Sequence, residues 1–154
     1  MKHGVMIKYM AVCVLCIFLS GACTQNDGHI GPLFGSWSLN SMSVDGELRE
    51  SSDGHFTTMS FQSDIVMFVC ADELHNTSKS YATWSEHNDI LTLNFSHYSD
   101  DIAEGTDAFG PPPCLDMPAG ISDYQISKLN SSVLELIRVS GDGRVYIYKF
   151  KKTW

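Results

Sequence analysis

The chain has 154 residues, 18 acidic and 10 basic groups, and 44% hydrophobic residues. That is one domain's length with enough apolar content for a core, which argues against disorder. The net charge of −8 argues against a nucleic-acid partner, because a phosphate backbone needs a basic surface.

Lys2 and Lys8 make the start basic, and the first acidic residue is Asp27. An apolar run from Tyr9 to Leu19 leads into Ser20-Gly21-Ala22-Cys23. A basic start, a short apolar core and small residues form an export signal. The run is shorter than the roughly 20 apolar residues a transmembrane helix needs. The segment resembles a bacterial lipoprotein signal, in which a cysteine ends the lipobox, is acylated and becomes the first residue after cleavage. Leu19 stands four places before Cys23, one more than usual. The resemblance implies a signal peptide at 1–22, lipid attachment at Cys23, and a lipidated tether at 23–32. The partner it implies is a membrane, reached through N-terminal acylation. No aspartate directly follows Cys23, which by the same resemblance points to the outer membrane, on its periplasmic or cell-surface side. The alternative is an ordinary secretory signal cut near Ala22.

Export removes Cys13 and Cys16, and acylation uses Cys23. Cys70 and Cys114 remain as a candidate disulfide in an oxidising compartment. Closing that loop would contribute about 4 kcal/mol in the chain-entropy model. The alternative is two independent cysteines packed as small hydrophobes. Neither belongs to a CxxC pair, which speaks against a redox catalyst or a zinc site.

Beyond the tether the periodicity is that of strands, with turn residues every eight to twelve positions. Strands are expected at about Gly35 to Met42, His55 to Phe61, Ile65 to Cys70 and Lys79 to Glu86. Four more are expected at Ile90 to Tyr98, Ile121 to Lys128, Val133 to Val139 and Arg144 to Lys151. Val44-Asp45-Gly46-Glu47, His87-Asn88-Asp89 and Ser140-Gly141-Asp142-Gly143 are turn signals, the glycines because they tolerate positive φ. An antiparallel meander of this length is safest with its edges closed. The expected fold is all-β, an eight-stranded antiparallel up-and-down barrel over residues 33–154. The one long connection, residues 99–120, holds Asp100, Asp101, Glu104 and Asp107, then Pro111-Pro112-Pro113 and Cys114. Three prolines in a row exclude a central strand there.

Gly35-Ser36-Trp37 on the first strand matches the G-x-W signature of lipocalins. Val44-Asp45-Gly46 after it, and the basic, aromatic last strand Tyr146 to Lys152, continue the pattern. The region 33–154 therefore resembles the small lipocalin-like (calycin-type) domains of lipoproteins from Gram-negative bacteria. The resemblance implies that Trp37 packs across the closed end of the barrel and that a small, mostly apolar ligand binds inside.

Trp37, Phe68, Trp84, Phe95, Tyr146 and Tyr148 are the candidate pocket, offering apolar area with polar tips. Equally, they are the core of a small β domain. The remaining histidines, His29, His55, His75, His87 and His97, form no close metal-binding pair, and no metal or cofactor is expected. Residues 27–127 carry 16 acidic and two basic groups; residues 128–154 carry six basic and two acidic ones. Lys149, Lys151 and Lys152 are either a cationic patch for an anionic partner or protection for a sheet edge. No nucleophile elbow, phosphate loop or dinucleotide motif is present, so no catalytic residue is expected. Two functions compete: a lipid-anchored, non-enzymatic binder of a small ligand, and an interaction module or inhibitor that uses loop 99–120 on an envelope protein.

Overall fold

Alternation of buried and exposed residues along each strand builds a single antiparallel sheet that closes on itself. The computed structural model describes residues 31–49, 56–96 and 109–153. The expected signal peptide 1–22, the expected lipid-attachment residue Cys23, His29, His55, His97 and the acidic residues Asp100 to Asp107 lie outside the described residues. Nine strands occur among those described: β1 Gly35–Val44, β2 Glu47–Arg49, β3 Thr57–Gln62, β4 Ile65–Ala71, β5 Thr77–His87, β6 Ile90–Asn94, β7 Ile121–Leu129, β8 Val133–Val139 and β9 Val145–Lys152. No helix occurs among them.

Nine strands make an eight-position barrel. β2 pairs with the second half of β1 (Val44 with Glu47) and β3 pairs with the first half (Gly35 with Phe61). The two short strands share one place in the ring. The sequence pattern marks the turn at Asp45-Gly46 but not β2, because three exposed residues are too few for an alternation. β9 pairs along its length with both β8 and β1, which closes the barrel. It therefore has no free edge, and edge protection does not explain its lysines. Lys149 Nζ instead lies 3.1 Å from Glu135, and Lys152 Nζ sits 4.8 Å above the Trp37 ring.

Strand direction defines two ends. The closed end holds the start of β1, the hairpin tips near Asp64, Asn88 and Ser131, and the end of β9. Asn88 and Asp89 both have positive φ there (52° and 61°), the twist a two-residue hairpin needs. Trp37 is fully buried at this end, and its Nε1–H donates to the Leu33 carbonyl at 2.8 Å. The open end holds the β1–β2 turn at Asp45-Gly46 and the segments joining β4 to β5, β6 to β7 and β8 to β9.

Directly paired residues share a face, so the ladder identifies the inward side chains. Met42, Leu136 and Tyr148 form one inward layer, and Val44, Arg138 and Tyr146 form the layer above it, at the open rim. Trp37, Met59, Phe68, Leu93, Tyr124 and Tyr148 have no accessible surface. A side chain without accessible surface borders no space large enough for water, so at these positions side chains fill the interior.

Candidate functional site

Of the six aromatic residues singled out in the sequence, Trp37, Phe68, Phe95, Tyr146 and Tyr148 belong to one buried core cluster, and Trp84 packs against it. Trp37 and Trp84 lie toward the closed end, where Trp84 meets Phe61 edge-on at 5.0 Å between ring centroids. Phe68 and Phe95 pair at 5.8 Å in the upper half. Tyr146 and Tyr148 stack at 6.5 Å on β9, and Tyr148 meets Tyr124 at 6.1 Å. Trp84 is half-buried, and its Nε1 has no hydrogen-bond partner.

The open end is crossed by the chain itself. Phe109 bridges to Tyr81 on β5, on the edge that β6 leaves free because it ends at Asn94. Pro111-Pro112-Pro113 then carries the chain over the mouth. Cys114 is disulfide-bonded to Cys70 on β4, with Cα atoms 6.1 Å apart. The Tyr148 hydroxyl of β9 donates to the Leu115 carbonyl at 3.0 Å. Arg138 Nη2 of β8 donates to the Asp116 carbonyl at 3.2 Å, and the Asp116 carboxylate lies 3.8 Å from Arg49 of β2. β4 and β8 are four places apart in a ring of eight, so this strap spans the mouth from one wall to the opposite one. Leu115 is fully buried and Met117 nearly so, and both belong to the main core. They are the plug.

Beneath the plug lies a polar cluster on an apolar floor. The Arg138 guanidinium sits 4.1 Å above the Tyr146 ring, and its Nε is buried without a hydrogen-bond partner. Ser122 Oγ donates to the Tyr124 hydroxyl at 3.2 Å. Burial holds the phenols of Tyr124 and Tyr148 above their ordinary value of 10.0, against the opposing pull of Arg138. The unfolded chain therefore loses these protons first as pH rises through 10, and the native state loses stability relative to it. The tyrosine contribution to stability should be constant from neutral pH to about pH 9 and be lost above pH 10. Urea melts of wild type and Tyr148→Phe between pH 7 and 11 measure this. The variant should lose about 1–2 kcal/mol at pH 7, because the Leu115 carbonyl loses its donor. It should also show a shallower alkaline decline, and an unchanged decline contradicts the assignment to Tyr148.

Beside the disulfide the surface opens into a concavity of about 490 Å³, lined by Asp72, Asn76, Ser78, Pro113, Cys114 and Cys70 among others. Asp72 shapes its rim, accepting from the Leu74 and Asn76 amides at 2.9 and 2.8 Å. Thr57 Oγ1 lies 3.3 Å from Cys114 Sγ. Among the described residues, no group of three or more His, Cys, Asp or Glu side chains is placed to hold a metal ion.

The sequence reading missed Leu115, Met117, Tyr124 and Arg138. The only local signal for the first two is a pair of large apolar residues directly after three prolines. Nothing local marks an arginine as inward-facing.

No protein-family model and no curated protein sequence matches the chain. The architecture matches the crystal structure of a lipocalin-like protein from Bacteroides uniformis, with a TM-score of 0.53 at 18% identity, over 79% of this chain and 99% of that one. The fold is lipocalin-like. The lipocalin-like barrel is also similar to an uncharacterized protein from Bacteroides eggerthii, with a TM-score of 0.49 at 15% identity, over 78% of this chain and 98% of that one. Within the lipocalin-like barrel, Gly35-Ser36-Trp37 stands on β1 at the closed end, and the strap covers the mouth.

Proposed function

We propose that the domain is a non-enzymatic binder of a small, partly apolar ligand at the open end of the barrel. We further propose that residues 1–22 export it and that acylated Cys23 anchors it at the outer membrane. The observation that carries the binding reading is the occupant of the mouth. Leu115 offers an aliphatic side chain to the core and a carbonyl oxygen to Tyr148, as a ligand with an apolar body and an acceptor would. Trp37, Met59, Phe68, Leu93, Tyr124 and Tyr148 leave no space beside them, so in this reading the ligand takes the mouth by displacing the plug.

The test uses the full chain in detergent, with N-phenyl-1-naphthylamine as probe and native mass spectrometry to count bound molecules. Leu115→Ala removes the plug's side chain while leaving the disulfide in place. The variant should retain one probe per chain where wild type retains none. Absence of probe from both forms overturns the reading. That result would favour a second one, an interaction module. It is supported by the exposed Leu48, Phe56, Leu74, Ile121 and Val139, which all lie around the open rim. Exposed apolar side chains gathered at one end mark a contact surface more than scattered ones do.

A further inference from the structure

The Cys70–Cys114 bridge is buried on one side and open on the other. Cys70 is 6% exposed and faces inward from β4, whereas Cys114 is exposed on the strap. Both sulfur-bearing residues line the 490 Å³ concavity, so solvent reaches the bond from the Cys114 side. The bridge is also the strap's covalent attachment to β4. Apart from the bridge, the strap is held by the burial of Leu115 and Met117, by the Tyr148 and Arg138 hydrogen bonds, and by an ion pair between half-exposed groups. Each of these contacts, the guanidinium-assisted Arg138 bond included, is weak compared with a covalent bond.

We infer that the concavity is a thiol–disulfide exchange site, and that a dithiol protein reaching Cys114 through it unlatches the strap and opens the mouth. The inference rests on the binding reading above and adds its control. One thiolate of the partner attacks Cys114 Sγ, the more accessible sulfur. The S–S bond breaks, and its electron pair leaves on Cys70 Sγ, which takes a proton. The partner's second thiolate then attacks the mixed disulfide. Cys114 leaves as a thiol and the partner becomes a disulfide. Two electrons and two protons pass from the partner dithiol to Cys70 and Cys114. Thr57 Oγ1, 3.3 Å from Cys114 Sγ, is placed to hydrogen-bond the sulfur as charge develops on it. In an oxidising compartment the latched state is the resting one, so access to the mouth depends on a supply of reducing dithiol.

Two measurements on the full chain in detergent test this. First, brief exposure to glutathione, a monothiol, traps the mixed disulfide, and peptide mass spectrometry locates the adduct. At least tenfold more adduct is expected on Cys114 than on Cys70. An adduct chiefly on Cys70 overturns the exchange site. Second, after full reduction by dithiothreitol the chain should keep its near-ultraviolet dichroism. Residues 111–117 should lose amide protection at least tenfold, and one N-phenyl-1-naphthylamine should bind per chain. A reduced chain that loses its tertiary dichroism overturns the proposal, because the bridge is then a structural staple. If the oxidised Leu115→Ala variant binds probe and the reduced wild type does not, the latch is wrong and the binding reading stands. If neither binds, both fall.

Discussion

Replacing Trp37 with alanine is expected to destabilise the domain by about 3–5 kcal/mol, the usual range for removing a buried tryptophan. Trp37 has no accessible surface, and its indole N–H satisfies the Leu33 carbonyl at 2.8 Å. Alanine opens a cavity at the closed end and leaves that carbonyl without its donor. It also removes the ring beneath Lys152 Nζ, which ties β1 to β9 at the seam where the barrel closes. Urea unfolding followed by circular dichroism measures the loss. Trp37→Phe separates its parts: it keeps most of the packing and loses only the donor, so it should cost no more than about half as much. A Trp37→Ala loss under 1 kcal/mol would mean that the seam does not depend on this residue.

Replacing both Cys70 and Cys114 with serine should lower stability by about 4 kcal/mol in the chain-entropy model, given a sequence separation of 44. Domains of this kind have about 5–15 kcal/mol in total, so a folded barrel of reduced stability is the expected product. Equilibrium unfolding of the double variant beside oxidised wild type gives the number. Because the staple acts mainly on the unfolded chain, the sheet should keep its far-ultraviolet spectrum. A double variant as stable as wild type would show that the strap is held by its noncovalent contacts alone. Its surviving contacts are the Tyr148 and Arg138 hydrogen bonds and the burial of Leu115.

Most of the fold was legible because a half-buried strand writes its exposure into alternate residues. The expected strands at Ile65 to Cys70, Val133 to Val139 and Arg144 to Lys151 differ from β4, β8 and β9 by at most one residue at either end. The strand expected from Ile90 to Tyr98 ends early, at Asn94. Phe95 N–H still donates across to the Gly120 carbonyl at 2.9 Å, and the Asn94 carboxamide oxygen accepts from the Ser96 amide and hydroxyl, an Asx turn that then takes the backbone out of the ladder. β2 left no trace because its exposed residues make no alternation.

The candidate site was less legible. Aromatic content pointed to side chains that mostly became core, since a small barrel must fill its own interior. The strap's role depends on contacts between residues far apart in sequence, such as Tyr148 with Leu115 and Cys70 with Cys114.

What the sequence by itself determined is the class of architecture: strand spacing, turn positions and the G-x-W start, all local patterns readable within ten residues. What only the tertiary structure decided is the fate of the mouth. Whether residues 109–120 hang free or plug the barrel depends on where β4, β8 and β9 stand around a closed ring. That placement follows from the pairing of β1 with β9, a long-range contact no local pattern encodes.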